Sequence, residues 1–233
     1  MKTEPLVRII VYNALSMLTQ RVNSMNFNEE DISRIVNEVL SNVGKTEQPT
    51  VAPGTKKGRV AMLVEPQKLE IHEFPLREIG PDEILVKVEG CGVCGTDVHC
   101  YKSDPFALTP NVLGHEGTGE VLEVGANIKM DSVGKQVKVG DKIVTSLMET
   151  SPDCLIAKYN PAKANLSDDL KVYGLLPDEP ENHFNGYFGE YLIIRPGSSF
   201  FVVNDMSLEL RCLIEPAAVV CHALERAKSC GNN

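Results

Sequence analysis

Short apolar segments separated by turn residues fill the chain from residue 59 onward, and they constrain its fold more than any other feature. Each segment is rich in Val, Ile and Leu, and Gly, Pro, Asp and Asn lie between them, which is typical of β-strands. Many short strands of this kind indicate a barrel-like or sandwich core. The seven segments are Arg59–Glu65, Leu69–Phe74, Glu83–Glu89, Gly119–Val124, Lys142–Thr145, Tyr191–Arg195 and Phe200–Val203. A helical period returns only near the end, from Ile214 to about Ala227.

Two amphipathic patterns precede this β-rich region. Apolar residues recur every three or four positions in residues 4–22 and again in residues 28–43, which predicts two helices. Residues 44–57 are rich in Pro, Gly and charged side chains, a composition typical of a flexible linker. We therefore divide the chain into a helical extension (1–43), a linker (44–57) and a β-rich domain (58–233).

The charge balance and the lack of long apolar runs argue against several classes of protein. The chain has 23 Lys and Arg against 32 Asp and Glu, a net charge of −9, whereas nucleic acids and anionic membranes favour basic surfaces. No apolar run approaches the roughly 20 residues of a membrane helix. No secretory signal pattern is recognised either, so we expect a cytoplasmic protein whose seven Cys are metal ligands and buried thiols rather than disulfides.

One short segment, Gly90-Cys-Gly-Val-Cys-Gly95, allows more than one interpretation. It matches the G-x-G-x-x-G dinucleotide pattern, but Pro105 and Pro110 interrupt the chain before a crossover helix and a parallel strand can follow, so we disfavour phosphate binding here. Cys91 and Cys94 also form a C-x-x-C pair. This pair is compatible with a redox dithiol, and a four-Cys zinc site would need a second pair, which the other Cys do not form.

A longer set of motifs is more specific. The motifs are Gly90-Cys-Gly-Val-Cys94-Gly-Thr96-Asp97-Val-His99, Gly114-His115-Glu116-Gly-Thr-Gly119-Glu120-Val-Leu-Glu-Val-Gly125 and Val139-Gly-Asp141-Lys-Ile-Val. In this order they resemble the zinc-dependent medium-chain dehydrogenase/reductase family of alcohol, polyol and threonine dehydrogenases, over roughly residues 58–230. The resemblance implies a mainly β fold with flanking helices, namely a GroES-like, partly open β-barrel. It also implies oxidation of a small alcohol or polyol to a carbonyl, with hydride transfer to NAD(P).

Metal chemistry and the resemblance together indicate a catalytic zinc site. Such a site has about three protein ligands and one open position. Cys94 supplies a thiolate and His115 an imidazole. The third ligand stays open between Glu116, which is adjacent to His115, and Glu215. The segment around Glu215 resembles the polyol and threonine dehydrogenase branch, where Glu stands at the start of this helix.

The resemblance further assigns catalytic roles to two residues near Cys94. It implies that Thr96 accepts the substrate proton and that His99 passes it towards solvent, while Asp97 orients His115 from behind. A helix-capping role for Thr96 and an ordinary surface position for His99 remain the alternatives.

The sequence departs from the family in two places. Many relatives hold a second, structural zinc with four Cys, but the positions corresponding to the other three, counted from Cys154, carry Ala157, Asn160 and Asp168. We therefore expect one zinc only, and a loosely ordered lobe over residues 146–188. The family's Rossmann domain is expected to begin after Lys228, where this chain ends at Asn233. We expect a truncated polypeptide, inactive alone, whose NAD(P) site and homo-oligomeric state belong to a full-length protein.

The helical extension resembles another kind of sequence, the encapsulation peptides that dock enzymes inside bacterial microcompartments. The physical basis of this resemblance is helix-in-groove recognition, in which the apolar stripe of residues 28–43 would bind a groove on another protein. This resemblance implies a shell protein as partner and the microcompartment lumen as location. The alternative function is a non-catalytic cargo or scaffold module that retains the GroES-like fold.

Overall fold

A computed structural model of the chain describes residues 56–151, 153–159, 165–167 and 169–230. The helices predicted for residues 4–22 and 28–43, and with them the shell-binding stripe, lie outside the described residues. The described elements, in chain order, are β1 Lys57–Glu65, β2 Lys68–Pro75, β3 Ile84–Gly92, α1 Gly95–Ser103, β4 Asn111–Val112, β5 Glu116–Val124, β6 Lys142–Glu149, α2 Leu155–Tyr159, β7 Lys171–Val172, β8 Tyr191–Ile194, β9 Ser198–Val202, α3 Leu208–Cys212 and α4 Ile214–Cys230.

The strands form two antiparallel sheets. The smaller sheet has the order β2-β1-β4, and the larger one has the order β7-β6-β5-β3-β8, with β9 paired to β6. Every strand pair within the described residues is antiparallel, whereas a Rossmann unit needs parallel strands. The expected mainly β class is thus confirmed, and residues 90–95 do not open a Rossmann unit in the described fold.

The two sheets are joined where β1 meets the segment that leads into β8. Ala61 N donates to Phe188 O at 2.8 Å, and Glu190 N donates to Arg59 O at 2.9 Å. An isolated bridge pairs Val60 with Gly189 between these two bonds. The sheets therefore curl around a common interior as a partly open barrel.

The main core lies inside the larger sheet. Alternate side chains of β3, β5, β6 and β8 point inward and are almost completely buried, as the period of two in a strand requires. The cluster consists of Ile84, Val86, Val121, Val137, Ile143, Tyr173, Tyr187, Leu192, Ile194, Phe200 and Val202. Two smaller clusters lie beneath β1 and β4, one of them including Tyr101 of α1.

All seven predicted strands are present, each within a few residues of its predicted ends. One expectation was wrong in part: three aromatic side chains of the 146–188 lobe are packed in the core rather than loose. Tyr173, Phe184 and Tyr187 are at most 2% exposed, and Tyr187 Oη lies 2.9 Å from Thr145 Oγ1. The polar composition of the lobe concealed these three aromatic side chains, which belong to the core.

The last helix, α4, lies largely in solvent. All its side chains from 217 to 228 are exposed, including Val219, Val220 and Leu224. Among the described residues, no helix combines the length and apolar character that crossing a membrane would require.

Candidate metal centre

The pairing of β3 with β5 brings two distant parts of the sequence together. Cys91 pairs with Gly117 and Gly92 with Glu116, so β3 ends where β5 begins. Cys94 follows β3 by two residues, and His115 immediately precedes β5. As a result the ligand atoms of Cys94, His115 and Glu116 all lie within 4.8 Å of one another. We call these three residues the metal cluster.

A glycine in β3 makes room for the carboxylate of this cluster. A Cβ atom added to Gly92 would overlap Oε2 of Glu116. Any other residue at this position would push the Glu116 side chain away. Sequence reasoning treated Gly92 only as part of a glycine motif; a glycine inside a strand, where it weakens the strand, is the signal that marks a close approach.

The Asp97 carboxylate contacts both segments that supply the metal cluster, the one with Cys94 and the one with His115. Asp97 lies in the first turn of α1 and is only 2% exposed. Its Oδ2 accepts from Cys94 N at 2.8 Å, and its Oδ1 accepts from Gly114 N at 3.1 Å. The same Oδ1 lies 3.6 Å from Nδ1 of His115. Burial raises the pKa of Asp97, an effect that His115 and the two NH groups offset only in part.

His115 is the most strongly perturbed group of the cluster. Its side chain is 6% exposed, and Nδ1 is buried without a hydrogen-bond partner. Burial by itself would lower the pKa of His115, but Cys94, Asp97 and Glu116 together raise it to about 9. The imidazole thus lies among anionic or potentially anionic groups, as a metal ligand would.

A second carboxylate, Glu215, lies nearby in the first turn of α4. It is not one of the three clustered residues, but it is close enough to interact electrostatically with His115 and Glu116. Burial is the main cause that raises the pKa of Glu116, and repulsion from Glu215 adds to it. Burial likewise raises the pKa of Glu215. A cation between them would relieve this repulsion.

The two residues expected to handle protons lie on α1. The Thr96 hydroxyl lies 3.7 Å from Sγ of Cys94, at the edge of the metal cluster. His99 follows on the same face of the helix, three residues further on, and its side chain is exposed. The structure thus brings Thr96 to the cluster and leaves His99 at the surface.

The donor set fits zinc. A thiolate, an imidazole and a carboxylate are the ligands that zinc takes in proteins, and a catalytic site combines three of them with an open position. Nδ1 of His115 is buried without a hydrogen-bond partner, and the carboxylates of Glu116 and Glu215 repel each other. A bound cation would stabilise this end of the barrel. Cys94, His115 and one of the two glutamates could therefore hold the ion.

Two other cysteines differ from Cys94. Cys91 packs against the main core, and its Sγ donates to Gly92 O at 3.1 Å. Burial raises the pKa of the Cys91 thiol well above its ordinary value, which disfavours a reactive dithiol with Cys94. Cys154 lies far along the chain in the lobe, where its Sγ is 2.9 Å from Oγ of Ser167.

Comparison with known families gives a match over the centre of the chain. The family described as alcohol dehydrogenase GroES-like domain matches residues 80–204, more than half of the sequence. The matched region contains the whole metal cluster.

Curated relatives include sugar and polyol dehydrogenases. Sorbitol dehydrogenase of Bacillus subtilis is 30% identical over 174 residues, covering 73% of this chain and 45% of the relative. L-galactonate-5-dehydrogenase of Escherichia coli is 31% identical over 169 residues, covering 72% and 45%. The chain thus spans about half the length of the curated relatives it matches.

Solved structures give the same result at the level of the fold. An alcohol dehydrogenase from Thermotoga maritima superposes with a TM-score of 0.62 at 29% identity, covering 69% of this chain and 44% of the other. A protein described as a zinc-binding dehydrogenase from Sinorhizobium meliloti, bound to NADP, gives a TM-score of 0.60 at 26% identity, covering 73% and 45%. The expected GroES-like half-barrel is confirmed.

Proposed function

The chain belongs to the zinc-dependent medium-chain dehydrogenase/reductase family, and on that premise we propose that its β-rich domain is the zinc-binding catalytic part of an alcohol or polyol dehydrogenase. The observation that carries the proposal is the metal cluster. Strand pairing places a thiol, an imidazole and a carboxylate within 4.8 Å of one another, although Cys94 and His115 are some twenty positions apart in the sequence.

The reaction is the oxidation of an alcohol to a carbonyl. The substrate loses a hydride from carbon, which the nicotinamide of NAD(P) takes up, and a proton from oxygen. The chemistry that zinc supplies when bound by Cys94, His115 and a glutamate is Lewis-acid catalysis, which lowers the pKa of a coordinated alcohol. The remaining tasks, which are to orient the substrate and remove its proton, belong to the side chains around the cluster.

The proposed proton path runs along α1. Thr96 accepts the proton of the substrate hydroxyl, because its own hydroxyl lies beside the Cys94 sulfur. His99 passes the proton to solvent from its exposed position on the same helix face. An imidazole can both take up and release a proton at its ring nitrogens, which suits this task.

We assign Glu116 and Glu215 as alternative third ligands. Glu116 is favoured by distance, since it belongs to the metal cluster. Glu215 is favoured by its position at the start of α4, from which it interacts electrostatically with His115. One glutamate would bind the ion and the other would fix the substrate or water in the open position.

The names of the relatives suggest the substrate class. They act, by name, on sorbitol and L-galactonate, and a structurally similar protein of Bacillus subtilis is a 2R,3R-butanediol dehydrogenase. We propose a small secondary alcohol or polyol for this family member, with zinc and NAD(P) as cofactors and homo-oligomers as the working state of the enzyme.

Metal analysis tests the proposal directly. The purified 233-residue chain is expected to retain about one zinc per chain after dialysis, and Cys94→Ser is expected to retain almost none, because the variant loses the thiolate ligand. Cys221→Ser is the matched control, since Cys221 is an exposed free thiol on α4. Zinc content is measured by mass spectrometry of the metal.

Three results of that measurement would contradict the proposal or the expectation of a single site. A chain without zinc that refolds with full stability would favour the non-catalytic cargo or scaffold module, which needs the GroES-like fold but no ion. Retention of zinc by Cys94→Ser would place the ion elsewhere. A second zinc that survives in Cys94→Ser would contradict the expectation of a single site.

Zinc binding should depend on pH in a defined direction. The pKa of His115 is raised to about 9 in the metal-free chain, so the imidazole is protonated at neutral pH and must lose its proton to bind zinc. We expect zinc affinity to rise with pH up to about 9, with release of at least one proton at pH 7.5. The folding stability of the metal-free chain should depend on pH in the opposite direction. The stability that charged His115 contributes is complete below about pH 6.5 and is lost as pH rises through 9.

Calorimetric titration in buffers of different ionisation enthalpy measures this proton release. A binding enthalpy that is independent of the buffer would show that no proton leaves and would contradict the assignment of His115 as a ligand.

A further inference from the structure

A buried arginine lies just before the helix that carries Glu215. Arg211 is the fourth residue of α3, and it is only 6% exposed. Its Nη1 donates to Oε2 of Glu89 at 2.7 Å and to Oγ1 of Thr118 at 3.2 Å. These bonds join segments that are 122 and 93 positions apart in the sequence.

The two partners of Arg211 lie on the strands that end at the metal cluster. Glu89 is in β3, whose end leads to Cys94, and Thr118 is in β5, which begins with Glu116. One guanidinium therefore fastens α3 to both ligand-bearing strands. The start of α4, with Glu215, follows α3 directly.

The rest of α4 supplies little that could hold Glu215 in place. Its side chains from 217 to 228 are all exposed, so this part of the helix buries no apolar face against the described fold. In α3 the buried residues are Arg211 and Cys212. The position of Glu215 is consequently set by α3 on its N-terminal side and by its half-buried neighbours Ile214 and Pro216.

Stability alone does not account for the burial of Arg211. Its guanidinium is desolvated, whereas the side chain of Glu89 is 26% exposed, so the cost of burying the cation offsets part of the attraction between the two. Glu89 has a second partner, since Oε1 accepts from Nζ of Lys142 at 2.6 Å. Loss of Arg211 thus leaves Glu89 paired, and what is lost is the hydrogen-bonded connection from Glu89 and Thr118 to α3.

We propose that Arg211 is a positioning residue that holds Glu215 in reach of the metal cluster by anchoring α3 to Glu89 and Thr118. The proposal rests on the zinc site of the proposed function and deepens it by adding the residue that fixes its second carboxylate. Arg211 itself touches neither metal nor substrate in this arrangement.

A double-mutant cycle on zinc affinity tests the proposal. Arg211→Met, Glu215→Gln and the double variant are compared by competition with a chromophoric chelator, and their cobalt(II) absorption spectra are recorded. Arg211→Met is expected to bind zinc about tenfold more weakly, in the range found when supporting residues of metal sites are changed. Glu215→Gln is expected to lose at least as much affinity, because it removes the carboxylate itself. The double variant should bind no more weakly than Glu215→Gln alone, because both changes remove the same contribution.

The control is Lys142→Met, which removes the other cation bound to Glu89 from β6 and leaves α3 attached. It should keep the zinc affinity and the cobalt spectrum of the parent chain. Arg211→Lys retains the buried charge and can reach one of the two partners, so it should recover part of the affinity even if Arg211→Met folds poorly.

Four outcomes would overturn the proposal. These are unchanged affinity in Arg211→Met, unchanged affinity in Glu215→Gln, additive losses in the double variant, and a loss in Lys142→Met equal to that of Arg211→Met. Failure of the proposed function is distinguishable, since then the parent chain itself would bind no zinc.

Discussion

Replacing Asp97 by alanine is expected to weaken zinc binding by about 10- to 100-fold, because it removes the group that orients both Cys94 and His115. The carboxylate accepts from Cys94 N and Gly114 N and faces the His115 imidazole. Alanine leaves both NH groups without their acceptor, each at a cost of about 1–3 kcal/mol. The burial cost of the carboxylate disappears at the same time, so the net loss of stability in the metal-free chain should be about 2 kcal/mol.

Zinc competition and denaturant unfolding measure the two effects separately. Asp97→Asn should be intermediate in both, since its side chain retains one acceptor oxygen in place of two. The exposed Asp153, replaced by alanine, serves as the control and should change neither quantity. Parent-like zinc affinity in Asp97→Ala would show that the ligands are oriented without this carboxylate.

A large loss of stability is expected from one added methyl group at Gly119. This residue lies in β5 opposite Val88, and a Cβ atom there would overlap the carbonyl oxygen of Lys87 and a methyl group of Val86. The carbonyl belongs to the backbone of β3 and cannot turn away as a side chain would. We expect Gly119→Ala to lower the free energy of unfolding by about 3 kcal/mol, at the upper end of the usual overpacking cost.

Denaturant unfolding of metal-free protein tests this, with Gly95→Ala as the matched control. Gly95 begins α1, and a Cβ atom there would have no neighbour within 4 Å. The control should be as stable as the parent or slightly more stable, because alanine favours helix over glycine. Equal stability of the two variants would contradict the prediction, because it would mean that the β3 backbone at Lys87 moves away from the added methyl group at little cost.

Longer elements were predictable from the sequence because their patterns repeat. The seven strands and the last helix each have enough apolar residues to reveal a period of two or of 3.6. Four elements that the sequence did not reveal are too short for any period: β4 and β7 have two residues each, and α2 and α3 have five each. The nine-residue α1 was missed as well, because its few apolar residues do not line one face. Tyr173 was also missed as a core residue, because the strand before it, β7, has only two residues and shows no alternating pattern.

The site was predictable only in part. Cys94, His115 and Glu116 lie in recognisable motifs, and the structure brings them together. Arg211 lies outside those motifs, and its partner Glu89 is 122 positions away, so no local pattern connects them. Contacts of this range depend on how the sheet is folded, which spacing in a sequence does not encode.

The register of β3 on β5 has a consequence for folding fidelity. Slippage by a single residue would invert the side chains of one strand relative to the other, and Glu116 would then point away from Cys94. An ion that binds only the correctly aligned pair would shift the population towards it by mass action, by roughly 4 kcal/mol when free zinc is a thousand times its dissociation constant. Zinc binding would therefore favour the correct pairing of β3 with β5 during folding, before the protein meets any substrate.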